Sequence, residues 1–234
     1  MIRINSLSKN FRESNGDLGF GLNDISLEIN KGDKISVLGR NGAGKTTFFR
    51  LLMGLISQDK GEIDVSGSDN EGLNKVFGLV SNNERSFFWR LSIIENLIFF
   101  MSLSGDYKKD ELLEEIEHYL SIFKISDLKH RLFMTLSSGE KKLVSIIRVL
   151  LRNPQVIMFD ETTTNLDYFA KLDFINFINK QLSEKTILWA THDLEEIFLI
   201  SNRYITIKNG MLTSYGEIQA HDKESTTIQI LKNV

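Results

Sequence analysis

The hydrophobic residues of the chain follow two patterns along its length. Short apolar or β-branched runs are typical of strands, whereas apolar residues spaced three and four apart are typical of amphipathic helices. The pair Asn209-Gly210 separates two short runs and predicts a hairpin. The runs that predict strands are Ile2–Ile4, Ile25–Ile29, Ile35–Leu38, Glu62–Val65, Phe77–Val80, Val156–Phe159, Ile187–Ala190, Ile205–Lys208 and Met211–Tyr215.

The middle of the chain, roughly residues 92–152, follows the helical pattern instead. Its apolar residues recur at helical spacing, as in Leu112, Ile116 and Leu120. The order of the elements predicts an α/β fold with a mostly parallel sheet, antiparallel β elements near the N-terminus and an inserted helical subdomain. We expect a single domain over residues 1–234, with a core of about 1–83 and 153–234 and a helical subdomain of about 84–152.

A glycine-rich segment joins the run Ile35–Leu38 to a helix-like segment, Thr47–Leu55. It fits the phosphate-loop pattern G-x-x-x-x-G-K-[ST] at every constrained position. Glycines let successive N–H groups point at an anion, and the following helix adds its positive dipole end. We therefore predict a P-loop NTPase core, in which Lys45 reaches the β- and γ-phosphates and Thr46 coordinates Mg²⁺. The predicted nucleotide contacts of this segment are Gly39, Arg40, Asn41, Gly42, Ala43, Gly44, Lys45, Thr46 and Thr47.

Two adjacent carboxylates end the apolar run Val156–Phe159. A continuous apolar run is typical of a buried strand in a parallel sheet, and ligands bind where such strands end. Because successive side chains point to opposite sides of a strand, the two acids have different roles. Asp160 is predicted to hold Mg²⁺ through water, and Glu161 to orient and deprotonate the attacking water.

Composition and charge exclude several other classes of protein. The 234 residues are 41% hydrophobic, which is enough for a sizeable core, and they include no cysteine for disulfides or thiolate metal sites. The net charge of −3 with interspersed signs gives no reason to expect a nucleic-acid partner. The most apolar window, Leu91–Leu103, is too short to span a bilayer. We expect a domain that does not itself cross a membrane.

A third motif narrows the class of P-loop NTPase that the sequence predicts. Leu136-Ser137-Ser138-Gly139-Glu140 precedes an amphipathic helix and stands about twenty residues before the acidic pair. Serines and a glycine at a helix start offer hydroxyl and N–H donors on a positive dipole end. With the three motifs in this order, the chain resembles the ATPase subunit of an ABC transporter from Ile2 to about Tyr215. The third motif resembles that family's signature loop.

The resemblance implies further site residues. Phe11 stands where the family has an aromatic ring stacked on adenine, and Asp167 lies in the loop that touches the partner subunit. His192 matches the switch histidine that contacts the γ-phosphate. Asn82 stands where a glutamine is usual and is the expected amide ligand of Mg²⁺ or water. The signature residues expected to contact ATP are Ser137, Ser138, Gly139 and Glu140.

Several positions depart from the family pattern. Glu140 replaces the usual glutamine and Ser138 a glycine, while Thr162 and Asn165 stand where proline and glycine are common. The Glu140 carboxylate adds a negative charge near an anion, which is tolerable if its side chain points away. Since none of these changes removes a catalytic group, we predict a competent ATPase that uses ATP and Mg²⁺.

The resemblance also implies partners. In the family the signature loop of a second subunit covers the open side of ATP, so we expect an ATP-closed dimer. The aromatic segment from Asn82 to Ser92 is the expected docking site for an integral membrane permease. This segment resembles that of ABC-2-type exporters, which implies an exporter of polysaccharide, lipid or drug-like cargo. The expected location is the cytoplasmic face of the cell membrane, as a peripheral subunit.

Two alternatives remain open from the sequence. A non-transport, mechanochemical ATPase of the ABC type would share the nucleotide motifs, although such proteins usually carry a coiled coil, a second ATPase unit or basic extensions. A phosphate-loop kinase would need an acceptor-binding lid and would not be expected to carry the elements at 136–140 and 192.

Overall fold

The structure is a computed structural model in which the nine predicted strands are all confirmed. It describes residues 1–11, 19, 21–66, 72–81, 86–103, 105, 107–163, 166, 168–218 and 223–233. The strands are β1 (Ile2–Lys9), β2 (Leu22–Ile29), β3 (Lys34–Leu38), β4 (Lys60–Val65), β5 (Phe77–Val80), β6 (Val156–Asp160), β7 (Thr186–Ala190), β8 (Arg203–Lys208) and β9 (Met211–Glu217).

Six of these strands form the larger sheet, in the order β5-β6-β7-β3-β8-β9. The first five of that order run parallel, and β9 pairs antiparallel with β8 through the predicted turn at Asn209-Gly210. Every residue of β7 is buried, as expected for a central parallel strand covered on both faces. The predicted α/β class with a mostly parallel sheet is therefore confirmed.

The smaller sheet is antiparallel, with the order β2-β1-β4. Its inward side chains, such as Ile4, Leu7 and Ile25, share one hydrophobic cluster with Phe48 and Phe49 of the first helix. The predicted N-terminal antiparallel elements are thus confirmed, and they cover the helix that follows the phosphate loop.

The helices of the described residues lie between and after the strands. Between β5 and β6 the described residues form three α-helices, whose inward residues, including Leu97, Ile116 and Ile147, form a separate cluster around Phe133. No helix in the described part of the chain has the length and apolar character that a bilayer span requires. The helices are α1 (Lys45–Leu52), α2 (Leu73–Val76), α3 (Ile93–Ser102), α4 (Lys109–Ile122), α5 (Ser138–Leu150), α6 (Tyr168–Gln181), α7 (Leu194–Ile200) and α8 (Lys223–Asn233).

The first helix differs from its prediction at both ends. It begins at Lys45 and ends at Leu52, whereas the sequence predicted Thr47–Leu55. Its start lies inside the phosphate-loop motif because Gly44, with φ of 113°, turns the chain directly into the helix. Its end is set by Gly54, which takes a left-handed conformation with φ of 67°.

Candidate functional site

The carboxyl ends of three neighbouring strands bring together the phosphate loop, Asp160 and the segment that leads to His192. Strand β3 leads into the phosphate loop, β6 ends at Asp160, and β7, which leads to His192, lies between them in the sheet. Ligands of open α/β sheets bind at this edge. A cavity of about 410 Å³ opens there, and the described residues that line it are Asn41, Gly42, Ala43, Gly44, Lys45, Thr46, Thr47, Asp160 and Glu161.

The phosphate loop has the backbone that an anion site requires. Gly42 and Gly44 have φ of 80° and 113°, in the left-handed region that glycine tolerates. Because α1 begins at Lys45, the N–H groups of its first turn have no acceptor within the helix. These donors and the positive end of the helix dipole lie at the cavity, so the loop suits a phosphate group.

Lys45 is buried and held by the loop itself. Its Nζ donates to the Gly39 carbonyl at 2.8 Å and lies 3.3 Å from Glu161 Oε1. The same ammonium thus stands between the loop and the carboxylate predicted to act as the base. Phosphate oxygens at the loop would compete with Glu161 for this cation.

Thr46 and Asp160, the two described residues predicted to bind Mg²⁺, are in direct contact. Thr46 Oγ1 donates to Asp160 Oδ2 at 2.8 Å. Burial raises the pKa of Asp160, and the nearby Glu161 charge adds to that rise, although the Thr46 hydrogen bond and nearby Lys45 and Arg50 oppose it. Hydroxyl and carboxylate oxygens fit Mg²⁺, which takes one or two carboxylates together with substrate phosphates. Among the described residues no group of three or more His, Cys, Asp or Glu is arranged for a metal, so a fit depends on phosphate ligands.

Glu161 has a strained backbone. Its φ is 51°, and a residue other than glycine pays roughly 1–2 kcal/mol in this left-handed region. The Glu161 N–H donates to the Ala190 carbonyl at 3.1 Å, which ties the residue to the end of β7. Strain of this kind clusters at functional sites, where the surrounding structure maintains it.

His192 lies at the same edge of the sheet, in the loop between β7 and α7. Asp160 pairs with Ala190 in the sheet, so His192 follows two residues beyond that pair. The imidazole is exposed. Asp193 accepts from the Glu195 N–H and so begins α7 directly after the histidine.

Phe11 follows β1, and its ring is partly exposed. Closely packed backbone segments lie between the end of β1 and the phosphate loop. The Gly210 N–H donates to the Ala43 carbonyl at 3.1 Å. A Cβ at Gly210 would lie 2.0 Å from the Gly21 carbonyl oxygen, and one at Gly21 would lie 1.8 Å from that of Lys9. The end of β1, two residues before Phe11, therefore lies near the phosphate loop. A residue that stacks on the base of a bound nucleotide must lie in this region.

The signature loop starts α5 with a reciprocal cap. The Ser137 hydroxyl accepts from the Glu140 N–H, and the Glu140 carboxylate accepts from the Ser137 N–H at 2.7 Å. The Glu140 side chain is thus turned back onto its own loop. This meets the condition, stated from the sequence, under which its negative charge is tolerable. The described residues 136–140 are not among those that line the cavity of their own chain.

Two predicted site residues, Asn82 and Asp167, lie outside the described residues. The sequence also missed one feature that the structure places beside the site. Glu196 of α7 is almost fully buried, and it bonds to Thr163 and Thr191 on the two loops that follow β6 and β7. A glutamate in the first turn of a helix is ordinarily solvent-exposed, so nothing in the sequence indicated this burial.

The fold and the site define a phosphate-loop ATPase, and comparisons with known proteins identify its family. A family model described as ABC transporter matches residues 22–164. The ABC transporter ATP-binding protein NatA of Bacillus subtilis (strain 168) is 31% identical over 225 residues, covering 94% of this chain and 91% of NatA. The taurine import ATP-binding protein TauB of Roseobacter denitrificans is 33% identical over 208 residues, covering 88% of this chain and 77% of TauB.

Solved structures agree with this result. The structure of cbiO1 from Clostridium perfringens, part of the ABC transporter complex cbiONQ, has a TM-score of 0.77 and 26% identity. The match covers 99% of this chain and 94% of cbiO1. The chain belongs to the ATP-binding subunits of ABC transporters, and it is an ATPase whose activity is coupled to transport.

Proposed function

We propose that this chain is the ATP-hydrolysing subunit of a membrane exporter for polysaccharide, lipid or drug-like cargo, working as an ATP-closed dimer on the cytoplasmic face of the membrane. The observation that supports ATP hydrolysis is that the phosphate loop, Lys45, the Thr46–Asp160 pair and Glu161 line one cavity. Residues 1–234 act as one domain, in which the core 1–83 and 153–234 binds ATP and residues 84–152 form a helical unit.

The residues of the cavity divide the reaction between them. The loop N–H groups and Lys45 hold the β- and γ-phosphates, and Mg²⁺ at Thr46 and Asp160 would neutralise charge on those oxygens. Glu161 accepts the proton of a water molecule whose oxygen forms a bond to the γ-phosphorus as the bond to the bridging oxygen breaks. His192 contacts the γ-phosphate from the neighbouring strand end. Phosphate oxygens that attract Lys45 free the Glu161 carboxylate for its role as base.

A second copy completes the site in this proposal. The cavity is open to solvent, and the signature loop 136–140 lies outside it in its own chain. The start of α5 nevertheless offers exposed serine hydroxyls at the positive end of a helix dipole. Placed over the γ-phosphate of a second copy, this loop would close the open side.

Products distinguish this ATPase from a phosphate-loop kinase. Purified protein given ATP and Mg²⁺, with no added acceptor, is expected to release ADP and free phosphate in equal amounts. Quantification of both products checks this result. A requirement for an added acceptor, with no free phosphate, would instead indicate a kinase.

An exposed apolar patch supports the proposed docking site. Phe88 and Trp89 are 46% and 48% exposed, and Leu132 and Met134 are similarly exposed. Two backbone hydrogen bonds, from Phe133 N–H to the Leu91 carbonyl and from Met134 N–H to the Trp89 carbonyl, hold the two segments side by side. The four side chains therefore lie on neighbouring segments, and aromatic groups of this kind are enriched in interface cores.

A buried asparagine fixes the shape of this patch. The Asn96 side chain accepts from the Phe88 N–H at 2.9 Å and donates to the carbonyls of Phe88, Leu91 and Ser92. These four hydrogen bonds attach the loop of residues 88–92 to α3 and hold its backbone in place. A pre-formed surface reduces the ordering cost of binding.

Two cations of α5, the helix that begins at the signature loop, lie against aromatic rings of the patch and of its neighbours. Lys141 Nζ lies 4.9 Å from the Trp89 ring centroid, and the Arg148 guanidinium lies 4.2 Å and 4.7 Å from the rings of Phe87 and Phe100. Burial lowers the pKa of Arg148 to about 10, so it remains a cation at neutral pH. Both cations belong to α5, and a movement of the signature loop would therefore reach the docking patch.

Phe88→Ala and Trp89→Ala are expected to abolish transport while basal ATPase activity stays within about twofold, because these rings anchor the interface rather than the core. ATP hydrolysis and cargo movement are measured in vesicles that contain the protein copurified with its membrane subunit. Tyr215→Ala, at an exposed ring on β9, is the control and should leave both activities unchanged. Loss of folding in the Phe88 and Trp89 variants would show that the rings belong to the core instead.

The direction of transport rests on the resemblance of segment 82–92 to exporters, whereas TauB is named an import protein. Deletion of the gene should therefore trap cargo inside the cell. Failure of the cell to take up a nutrient after deletion would indicate an importer.

A further inference from the structure

The most deeply buried charge near the site belongs to Glu196, which is 1% exposed. Its Oε2 accepts from Trp189 Nε1 at 3.0 Å and from the Thr191 hydroxyl at 2.6 Å. Its Oε1 accepts from the Thr163 hydroxyl at 2.5 Å and lies 3.0 Å from Lys171 Nζ. Each carboxylate oxygen therefore has two partners, as a buried carboxylate requires.

These partners come from both loops of the candidate site. Thr163 lies two residues after Glu161, and Thr191 lies directly before His192. One carboxylate therefore connects the segment that carries the proposed base to the segment that carries the proposed γ-phosphate contact.

The connection begins where the sheet stops. The last pair of β6 and β7 is Asp160 with Ala190, and beyond it the Glu161 N–H makes one more bond, to the Ala190 carbonyl. Glu161 then turns into the left-handed region with φ of 51°. Past this point the strand ladder no longer sets the distance between the two loops, whereas the Glu196 carboxylate bridges them.

A cation on α6 balances the buried charge. Lys171 contacts both Glu196 and Asp193, the residue directly after His192. Burial opposes the charge on Lys171, but these two carboxylates outweigh it and raise the pKa of Lys171. Burial likewise opposes ionisation of Asp193, and Lys171 outweighs it and lowers the pKa of that carboxyl. Lys171 and Asp193 therefore both stay charged at neutral pH.

We propose that Glu196 is a positioning residue for ATP hydrolysis: through Thr163 and Thr191 it fixes the Glu161 loop and the His192 loop relative to each other. The inference rests on the proposed catalytic site and names the group that holds it in place. Glu196 is buried under the two loops and is not among the described residues that line the cavity, so it acts on kcat through the position of Glu161 and His192.

Variants that remove or restore one hydroxyl group test this role. Thr163→Val keeps the shape of the side chain but removes its bond to Glu196. It is expected to lower kcat by about 10- to 100-fold with KM for ATP within about twofold, because a small misplacement of a catalytic group slows the reaction by such factors. Thr163→Ser restores the hydroxyl and should return kcat to within about threefold of wild type. Steady-state phosphate release gives both constants.

Two further variants separate positioning from general stability. Thr186→Val makes the same change at a buried threonine at the opposite end of β7, where the hydroxyl accepts from the Gly32 N–H, and should leave kcat unchanged. Glu196→Asp keeps the charge but withdraws the carboxylate by one methylene, so it should lower kcat as Thr163→Val does. If Thr163→Val fails to fold, Glu196→Asp decides the question.

The proposal is overturned if folded Thr163→Val or Glu196→Asp keeps wild-type kcat. It is also overturned if Thr163→Ser loses as much as Thr163→Val, or if Thr186→Val loses as much as either. A wild-type protein that releases no phosphate from ATP would refute the proposed function itself, and this outcome is distinguished because it appears before any substitution is made.

Discussion

Glu161→Gln is expected to lower kcat for ATP hydrolysis by about 10²–10⁴-fold, the contribution of a general base. The amide keeps the size of the side chain but cannot accept the proton of the attacking water. The substitution also removes the carboxylate that lies 3.3 Å from Lys45 Nζ. Because the phosphate oxygens then no longer compete with a carboxylate for Lys45, ATP should bind as tightly as in wild type or more tightly. Phosphate release and binding of a fluorescent ATP analogue measure the two effects.

Glu184→Gln is a suitable control, since Glu184 lies between α6 and β7, outside the candidate site. Glu184→Gln should change neither kcat nor the affinity for ATP. An unchanged kcat in Glu161→Gln would show that another group activates the water. A large loss of ATP affinity would show that Glu161 supports the binding site rather than the chemical step.

Asp160→Asn is expected to lower activity about 10- to 100-fold and at the same time to stabilise the protein at neutral pH. The loss follows from a weaker hold on Mg²⁺ by an amide than by a carboxylate that binds through water. The gain in stability follows from the raised pKa of Asp160, caused first by its burial. The amide oxygen can still accept from the Thr46 hydroxyl, so the local structure is kept.

The pH dependence of the unfolding free energy checks the sign of this effect. With a folded pKa above the unfolded value, wild type loses stability as pH rises from the ordinary aspartate range through the raised pKa. Asparagine does not titrate, so the stability advantage of Asp160→Asn should be absent in acid and should grow toward neutral pH. Urea unfolding at several pH values measures this difference.

Asp59→Asn provides a control of opposite sign. The Asn10 N–H and then Lys9 hold the pKa of Asp59 below its ordinary value. Wild-type Asp59 therefore stabilises the fold above the ordinary aspartate range, and this stabilisation is lost as pH falls through the lowered pKa. Asp59→Asn should thus be less stable than wild type at neutral pH, with activity unchanged. A stability advantage for Asp59→Asn, or none for Asp160→Asn, would contradict these assignments.

The strands and the phosphate site could be predicted from the sequence because local patterns determine them. The run Val156–Phe159 is apolar on both faces because β6 is buried on both faces, and the glycines at 42 and 44 are required by the positive φ angles of the loop. Both signals are contained within a few consecutive residues. The contact between Thr46 and Asp160 follows from them once the two strands are placed in one sheet.

The remaining features depend on contacts between distant parts of the chain. Glu196 looks like an ordinary acid in the first turn of α7, and its burial arises only because Trp189, Thr163 and Lys171 surround it in the fold. Glu140 could be read from its sequence as a charge near an anion, whereas the structure shows the carboxylate capping its own helix. The capping pattern Ser137-x-x-Glu140 was a signal that could have indicated this geometry.

The central claim, that two copies enclose ATP between them, is tested most directly by the mass of Glu161→Gln in solution. Light scattering should give 26.8 kDa without nucleotide and twice that mass with ATP and Mg²⁺, and ADP should not produce the dimer. Ser137→Ala, which changes the signature loop, should weaken the ATP-dependent dimer while ATP still binds to the single chain. A protein that binds ATP and yet remains at the mass of one chain at every concentration tested would contradict the account.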